Sequence, residues 1–297
     1  MSADPTSNGS ARSNSPTTPT LSIIVPVYNE ATRLREVVSQ LFATHFSVPC
    51  EWIFVDDHST DGSLGVLREL AAEHEFRLLE QPHNKGKGAA VRRGIEAATG
   101  ELIVIQDADF EYDPADIDTL IQPILNGRAD VVYGSRFKKT ALQVHRTYHY
   151  FVNRMLTMLS NLLSGVYLTD METCYKVFRA DLLQAMCLRS SRFGIEVEMT
   201  AYAAKTSARF FELPISYYPR TQLQGKKINW KDGVAALVHL VRFNLLTSVD
   251  AAFENLPERY RGEGRGATMP TESPAAAAAE TSASDAHAVS PGPGDAS

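Results

Sequence analysis

Hydrophobic and polar residues change along the chain in a pattern that predicts strands and helices in turn. Leu21–Val27 is a short β-branched apolar run, typical of a strand buried on both faces. The next apolar residues share one face of a helix: Leu34, Val37, Val38, Leu41 and Phe42. The alternation continues with strands at Trp52–Val55, Arg77–Glu80, Leu102–Gln106 and Ala129–Tyr133 and helices at Ser63–His74, Ala89–Ala98 and Pro114–Asn126. This order predicts an α/β fold with a doubly wound, mostly parallel sheet.

Polar residues concentrate where the predicted strands end. The first strand runs into Tyr28-Asn29-Glu30, the second into Asp56–Gly62, the fourth into Asp107-Ala108-Asp109 and the fifth into Gly134-Ser135-Arg136. Asn29 or Asp61, taken alone, is as well explained as a helix cap. Four clusters at one edge of a sheet are harder to explain as caps. Because doubly wound sheets bind ligands beyond the carboxyl ends of their strands, we predict a ligand site at this edge.

Of the four clusters, Asp107-Ala108-Asp109 gives the most specific indication of a ligand. It directly follows a buried strand, and two neighbouring carboxylates repel each other unless a cation neutralises them. Carboxylates together with a diphosphate are the usual ligands of Mg²⁺ or Mn²⁺. We therefore predict a divalent-metal site at Asp107 and Asp109. Glu111 is either a third oxygen ligand or a solvated loop residue.

Composition and charge narrow the classes of function. The formal net charge is -6 and the isoelectric point is about 5.8, which argues against a nucleic-acid partner, since such a protein needs a basic face. Three widely spaced cysteines make neither a disulfide framework nor a zinc site, and they fit a reducing compartment. The glycine motifs of dinucleotide-binding oxidoreductases and P-loop enzymes are absent from the sequence.

The two ends of the chain differ from its centre in composition. Residues 1–20 are rich in Ser, Thr, Pro and Asn and have no apolar signal segment, and residues 257–297 are rich in Ala, Ser, Pro and Gly. We therefore predict one folded domain over 21–256 between two disordered tails. No apolar stretch has the roughly 20 residues that span a bilayer. We expect a cytoplasmic protein with at most peripheral membrane attachment.

Five motifs occur in a fixed order: Pro26-Val27-Tyr28-Asn29-Glu30, Asp56-Asp57-His58-Ser59-Thr60-Asp61-Gly62, Asn84-x-Gly86-x-Gly88, Asp107-Ala108-Asp109 and Gly134-Ser135-Arg136. In this order they resemble glycosyltransferase family 2, and most closely its dolichyl-phosphate (polyprenyl-phosphate) mannose and glucose synthase branch. The resemblance extends from Leu21 to about Phe243. It implies a GT-A fold and inverting transfer of a hexose from a nucleotide sugar, such as GDP-mannose or UDP-glucose. The sequence departs from the family at His58, where Gly is usual, and at Glu111, where Gln is common.

The resemblance also implies roles for the residues at matching positions. It implies a nucleoside pocket and base contacts at Pro26, Tyr28, Glu30, Val55 and Asp57, and metal and diphosphate ligands at Asp107, Ala108 and Asp109. Phosphate contacts are expected from Arg136 to the donor, from Arg220 and Lys227 (or Lys226) in a closing loop, and from Arg146 to the acceptor. A non-catalytic binding module is the rival class, and the presence of every donor-site motif argues against it.

The nature of the acceptor decides whether a general base is required. A polyprenyl phosphate is already anionic near neutral pH, because the second phosphate pKa is about 6, so it needs no strong base. A hydroxyl of a saccharide or lipid head group, in envelope or exopolysaccharide synthesis, does need one. Glu198 and Asp170 are the candidate bases; alternatively each has a structural role, such as orienting an arginine. The phosphate acceptor is the first hypothesis and the hydroxyl acceptor the second.

A predicted helix at Tyr148–Leu163 follows Arg146 and has an apolar face. That face either lies on a membrane surface, where it guides a lipid chain, or packs on the sheet as part of the core. We favour peripheral contact with the cytoplasmic face of a membrane.

Overall fold

The computed structural model describes residues 21–138, 147–192, 194–219 and 230–262. Within these residues a seven-stranded sheet forms the centre of the fold, with strand order β3-β2-β1-β4-β6-β5-β7. The strands are β1 (Leu21–Val27), β2 (Cys50–Asp56), β3 (Arg77–Glu80), β4 (Leu102–Ile105), β5 (Val131–Ser135), β6 (Lys176–Arg179) and β7 (Phe210–Pro214). All neighbouring pairs are parallel except those that involve β6. The predicted mostly parallel α/β sheet is therefore confirmed.

The helices of the described residues alternate with the strands through β5, as the sequence pattern predicts. They are α1 (Ala31–Ala43), α2 (Ser63–Glu73), α3 (Lys87–Ala97), α4 (Ala115–Leu125), α5 (Thr147–Ser164), α6 (Ala180–Gln184), α7 (Ile195–Ala203), α8 (Trp230–Val241) and α9 (Val249–Ala252). α8 continues into a π-helical turn at Arg242–Leu246. The apolar stripe of α1 is buried as expected, since Leu34, Val38 and Leu41 have almost no exposed surface.

The antiparallel strand β6 is the main feature that the sequence pattern did not predict. It lies between β4 and β5 and pairs with both of them in the antiparallel sense. The strand is only four residues long, and it begins at Lys176 and ends at Arg179, so it lacks the apolar run of the other central strands. Helices α6 and α7 and strand β7 were not predicted either.

The parallel strands bring four loops to one edge of the sheet. Val27 at the end of β1 pairs with Asp56 at the end of β2, and Ile24 pairs with Ile105 at the end of β4. β6 is antiparallel to both β4 and β5, so β5 runs parallel to β4 and ends at the same edge. The loops that follow β1, β2, β4 and β5 therefore start side by side.

The packed part of the chain continues past Leu256, where the sequence pattern places the end of the domain. Glu258–Tyr260 forms a 3₁₀ turn, the Tyr260 side chain is buried, and its carbonyl oxygen accepts a hydrogen bond from Ser207 N. Cys50, Cys174 and Cys187 are free thiols. Among the described helices, none combines the length and the apolar character needed to cross a bilayer.

Candidate active site at the carboxyl edge of the sheet

The loops after β1 and β2 are tied to each other by side chains. Asn29 has a left-handed backbone (φ 55°); its N–H donates to Ser59 Oγ at 3.1 Å, and its Oδ1 accepts from Thr60 N at 2.8 Å. Asp61 Oδ2 accepts from Ala31 N, the first residue of α1, at 3.0 Å. Asp61 is thus a helix cap supplied by another loop, whereas Asn29 joins the two loops. These bonds fix the segment that carries Tyr28 and Glu30 at the rim.

Asp57 anchors the segment that leads into α3. Its buried carboxylate accepts hydrogen bonds from Lys85 N at 2.9 Å and Gly86 N at 2.7 Å. His58 has a φ of 59°, a backbone conformation that favours glycine, which explains why Gly is usual here in the resembling family. The Val55 side chain is fully buried in the core. Pro26, also predicted to line the nucleoside pocket, is partly buried in β1.

Lys87 links the Asp107 carboxylate to α7. Its Nζ lies 2.7 Å from Asp107 Oδ1 and 3.0 Å from Glu196 Oε1. Burial lowers the pKa of Lys87, but the neighbouring negative charges, with Asp107 foremost, outweigh burial and hold that pKa well above its usual value. Lys87 is therefore a fixed positive charge at the end of β4.

The two glycines that flank Lys87 allow this close approach. A Cβ atom at Gly86 would collide with Ser191 O, and one at Gly88 would lie 2.5 Å from Ser190 O. The segment at 190–191 is itself held by Glu198, whose Oε1 accepts from Arg189 N at 2.8 Å and whose Oε2 accepts from Ser190 N at 2.7 Å. Glu198 is fully buried. Both of its oxygens hold main chain, which favours the structural alternative over a role as general base.

Arg136 and Asp170 form a bidentate pair behind the end of β5. Arg136 Nε donates to Asp170 Oδ2 at 2.6 Å and its Nη2 to Oδ1 at 2.7 Å, while its main-chain N–H also donates to Oδ2. Asp170 has no exposed surface. The guanidinium carbon lies 5.1 Å from the centre of the Tyr217 ring. Asp170 thus orients the arginine predicted to contact a donor phosphate, which favours its structural alternative too.

Asp107 and Asp109 are both partly exposed at the end of β4, so a ligand can reach them. Asp109 Oδ1 accepts from Glu111 N at 3.0 Å. Glu111 Oε2 accepts from Tyr217 OH at 2.7 Å, and no three acidic, histidine or cysteine side chains of the described residues are arranged to hold a metal ion. The predicted third ligand, Glu111, is therefore not gathered with the two aspartates. Two carboxylates that share a hard cation with a diphosphate still fit Mg²⁺ or Mn²⁺, which commonly takes few protein ligands.

Reasoning from the sequence missed two charged residues of this site, Lys87 and Glu196. Lys87 stands between the two glycines of the Asn84-x-Gly86-x-Gly88 motif, and that position was the available signal. Glu196 lies two residues before Glu198 on a helix whose nine residues are all buried, so no polar face distinguishes the two. Three predicted phosphate-contacting residues, Arg146, Arg220 and Lys227, lie outside the described residues.

Comparison with known proteins supports the family resemblance seen in the sequence. The profile of glycosyl transferase family 2 matches residues 22–187, more than half of the chain. Dodecaprenyl-phosphate galacturonate synthase from Rhizobium johnstonii is 28% identical over 67% of this chain and 59% of its own length. Dolichyl-phosphate beta-glucosyltransferase ALG5D from Trichomonas vaginalis is 28% identical over 75% of this chain and 72% of its own length. The chain thus spans about six tenths of the length of the first relative.

A solved structure shows the same fold at low identity. Glucosyl-3-phosphoglycerate synthase from Mycobacterium tuberculosis, in complex with Mn²⁺, uridine diphosphate and glucosyl-3-phosphoglycerate, superimposes with a TM-score of 0.58 at 17% identity. The match covers 76% of this chain and 80% of that one. This likeness confirms the expected GT-A-like fold. With the profile match over more than half of its length, the chain belongs to glycosyl transferase family 2.

Proposed function

We propose that the protein transfers a hexose from a nucleotide sugar to a polyprenyl phosphate, with inversion at the anomeric carbon and with the help of Mg²⁺ or Mn²⁺. The observation that carries the proposal is the pair Asp107 and Asp109 at the end of β4, with Lys87 bonded to Asp107 and Arg136 after β5 at the same edge of the sheet. The names of the relatives from Rhizobium and Trichomonas, which act with dodecaprenyl and dolichyl phosphate, support the acceptor class.

The chemical problem is the negative charge that grows on the departing nucleoside diphosphate. A divalent metal held by Asp107 and Asp109 would supply positive charge to the diphosphate oxygens. Lys87 keeps the Asp107 carboxylate in place, and Asp170 holds the Arg136 fork in one orientation. Charges that are fixed before the reaction stabilise the leaving group without reorganising during it.

The bonds made by the two candidate bases, Glu198 and Asp170, favour a phosphate acceptor over a hydroxyl acceptor. Glu198 has both oxygens bonded to main-chain N–H groups, and Asp170 has both bonded to Arg136. Neither is arranged to take a proton from a hydroxyl, whereas a lipid phosphate arrives already ionised. Transfer to a saccharide or lipid head-group hydroxyl remains the alternative that the assay must test.

The assay supplies labelled GDP-mannose or UDP-glucose, Mn²⁺ and a membrane lipid extract to the full chain. We expect label in the organic phase, loss of that label with EDTA, and its recovery when excess Mn²⁺ is added back. Label found only in a soluble saccharide would replace the polyprenyl phosphate by the hydroxyl acceptor. Turnover that EDTA does not change would remove the metal from the proposal.

The exposed apolar side chains support the proposal that the protein works at a membrane surface. All but two of the large hydrophobic side chains that are exposed in the described part of the chain lie between Tyr150 and Tyr167 or between Val238 and Val249. On α5 they form one stripe: Phe151, Met155, Met158 and Leu162. The opposite face of α5 is buried at Leu156, so the helix both packs on the core and presents an apolar surface. The two readings of this helix are therefore compatible.

Charge and position favour an anionic lipid surface as the occupant of that face. Segments 147–164 and 233–249 contain no Asp or Glu, and they carry Arg154 and Arg242, in a chain with a net charge of -6. The face also adjoins the site, because the Tyr150 ring lies 5.3 Å from that of Phe137, the neighbour of Arg136. We propose peripheral attachment to the cytoplasmic face of a membrane through this surface.

Co-sedimentation with phosphatidylcholine vesicles, with and without phosphatidylglycerol, tests the attachment. Leu162→Ser should reduce partitioning about tenfold, because a buried leucine contributes on the order of 1.5–3 kcal/mol. Leu162→Met is the matched control that keeps the surface apolar. Equal partitioning of both variants would contradict the proposal, and self-association that Leu162→Ser abolishes would assign the face to a second copy of the chain.

A further inference from the structure

Three buried oxygens close to the proposed diphosphate site have no hydrogen-bond partner among the described residues. They are Glu172 Oε1, Thr173 Oγ1 and Glu196 Oε2. Thr173 is fully buried and Glu196 is 6% exposed. A buried polar atom without a partner destabilises the fold, so such atoms are few in native proteins and are often explained by a ligand or by catalysis. We therefore look for a ligand group that would bond to these three oxygens.

Lys87 fixes the position of one of these three side chains, that of Glu196. One oxygen of Glu196 and one oxygen of Asp107 share the same ammonium group, at 3.0 and 2.7 Å. The second oxygen of Glu196 is therefore a near neighbour of the predicted metal ligand. In a nucleotide sugar the hexose is attached to the phosphate that such a metal would hold, so its ring hydroxyls would reach this region.

The charges of Glu172 and Glu196 determine which part of a ligand can bind next to them. Glu172 and Glu196 are close enough for their charges to interact, and burial together with the charge of Glu196 raises the pKa of Glu172 from 4.5 to about 7. The Glu196 carboxylate, and Glu172 when it is ionised, would repel the anionic phosphate of a lipid acceptor, although the charges of Lys176 and Arg136 act in the opposite direction on Glu172. Neutral hydroxyl groups, by contrast, donate hydrogen bonds to carboxylate oxygens. The cluster therefore fits the sugar ring better than the diphosphate or a phosphate acceptor.

We propose that Glu172, Thr173 and Glu196 form a subsite that binds the hydroxyl groups of the transferred hexose and so determines which sugar the enzyme accepts. This inference rests on the proposed nucleotide-sugar chemistry and adds to it the residues that recognise the sugar. Glu196 and Glu172 accept hydrogen bonds from ring hydroxyls, and the Thr173 hydroxyl either donates or accepts. Lys87 positions Glu196 and ties the subsite to Asp107.

The test compares the affinity for a nucleoside diphosphate with that for the matching nucleotide sugar. Dissociation constants are measured calorimetrically in Mn²⁺ for UDP, UDP-glucose, GDP and GDP-mannose, with the wild type and with Glu196→Gln, Glu172→Gln and Thr173→Val. We expect each variant to weaken binding of the preferred nucleotide sugar by about tenfold to a hundredfold and to leave binding of its diphosphate unchanged. Thr173→Val should also fold as stably as the wild type, because it removes a hydroxyl that has no partner.

Glu198→Gln is the matched control, since Glu198 lies on the same buried helix but has both oxygens bonded to main chain. If it weakened sugar binding as much as Glu196→Gln, the effect would be structural and the subsite would be rejected. Unchanged nucleotide-sugar affinity in all three variants, with only the acceptor KM or the pH profile altered, would overturn the inference and assign Glu196 to the acceptor, as a base for a hydroxyl. Failure of the wild type to bind either diphosphate in Mn²⁺ would overturn the proposed function as well.

Binding measurements with modified nucleotide sugars identify which hydroxyl group contacts the subsite. UDP-glucose and GDP-mannose analogues that lack one ring hydroxyl should each bind the wild type more weakly if that hydroxyl meets the subsite. For the hydroxyl that bonds Glu196, the analogue and Glu196→Gln together should lose no more affinity than either change alone. If, for every hydroxyl tested, the loss of affinity from the analogue multiplied with the loss from Glu196→Gln, no ring hydroxyl would contact Glu196.

Discussion

The two sides of the site edge use carboxylates in different ways. On the nucleoside side, formed by the loops after β1 and β2 and by residues 84–86, Asp57 and Asp61 accept hydrogen bonds from main-chain N–H groups. On the phosphate side, formed by the ends of β4 and β5 with Lys87, Asp170 and Glu196, three carboxylates (Asp107, Asp170 and Glu196) pair with largely buried cations. The first arrangement shapes loops, and the second fixes charge.

This difference separates structural from chemical roles among residues of one type. A carboxylate saturated by main-chain donors holds a loop and has few lone pairs left for a ligand. A carboxylate paired with a lysine is held in one position, to which a second cation can bind, as we propose for Asp107. Substitutions should therefore act on stability on the nucleoside side, on turnover at the end of β4, and on both at the largely buried ion pair of Arg136 and Asp170.

The largest effect is expected from Asp109→Asn on the phosphate side. Asparagine keeps the Oδ1 acceptor for Glu111 N, so the fold should be retained, but it removes a charged oxygen from the proposed metal site. Turnover should fall roughly 10³-fold, comparable to the loss of a main transition-state charge contact. The measurement is sugar transfer at saturating Mn²⁺, with the unfolding midpoint as control. Transfer at the wild-type rate would show that the proposed metal site is not used.

Asp170→Asn should lower both stability and turnover. It leaves the Arg136 guanidinium, which has a side chain only 12% exposed, without its charge partner. Breaking a buried pair in this way costs about 3–5 kcal/mol of unfolding free energy, measured by denaturant titration. Glu69→Gln, at the exposed pair Arg35–Glu69, is the control and should cost less than about 1 kcal/mol. A loss of turnover with an altered pH profile and unchanged stability would instead make Asp170 a base.

Glu172 should make stability depend on pH. Its pKa is raised in the folded state, from 4.5 to about 7, first by burial and then by Glu196. The folded state therefore binds more protons than the unfolded state between these values, so stability is higher at low pH and falls as pH rises towards 7. Urea unfolding from pH 5.5 to 7 should show a decrease of about 1–2 kcal/mol from this group. Glu172→Gln should remove that contribution; an unchanged slope would mean that other groups cause it.

The same comparison explains which parts of the structure could be predicted from the sequence. β4 is an uninterrupted apolar run, β1 is apolar except at Ser22, and α1 has one apolar stripe, so their positions were predicted within a few residues. β6 contains Lys176, whose fully buried ammonium donates to Thr173 O. A buried lysine gives no sign in a sequence that it is buried, because its partner is a main-chain carbonyl that any residue has.

For the site, too, the sequence predicted positions along the chain better than contacts between side chains. The loop motifs predicted that Asp107, Asp109 and Arg136 lie at one edge of the sheet, and the structure has them there, because strand direction alone decides where these loops start. Which carboxylate holds a loop and which one pairs with a cation depends on the bonds formed in the folded chain, such as Glu198 to Ser190 and Glu196 to Lys87. Spacing along one helix does not contain that information, so the sequence singled out Glu198 and not Glu196.

The smallest effect is expected on the nucleoside side, from Asp57→Asn. One asparagine oxygen can replace only part of a carboxylate that accepts from both Lys85 N and Gly86 N, so we expect a loss of about 1 kcal/mol in unfolding free energy. The loosened segment also carries Lys87, and the KM for the nucleotide sugar should therefore rise more than turnover falls. Asp61→Asn, which weakens the cap of α1 and the bonds to Ser63 at the start of α2, should cost a similar stability without changing that KM. If both variants changed KM alike, the two loops of the nucleoside side would act as one unit, and the special role of Asp57 as the anchor of Lys87 would be wrong.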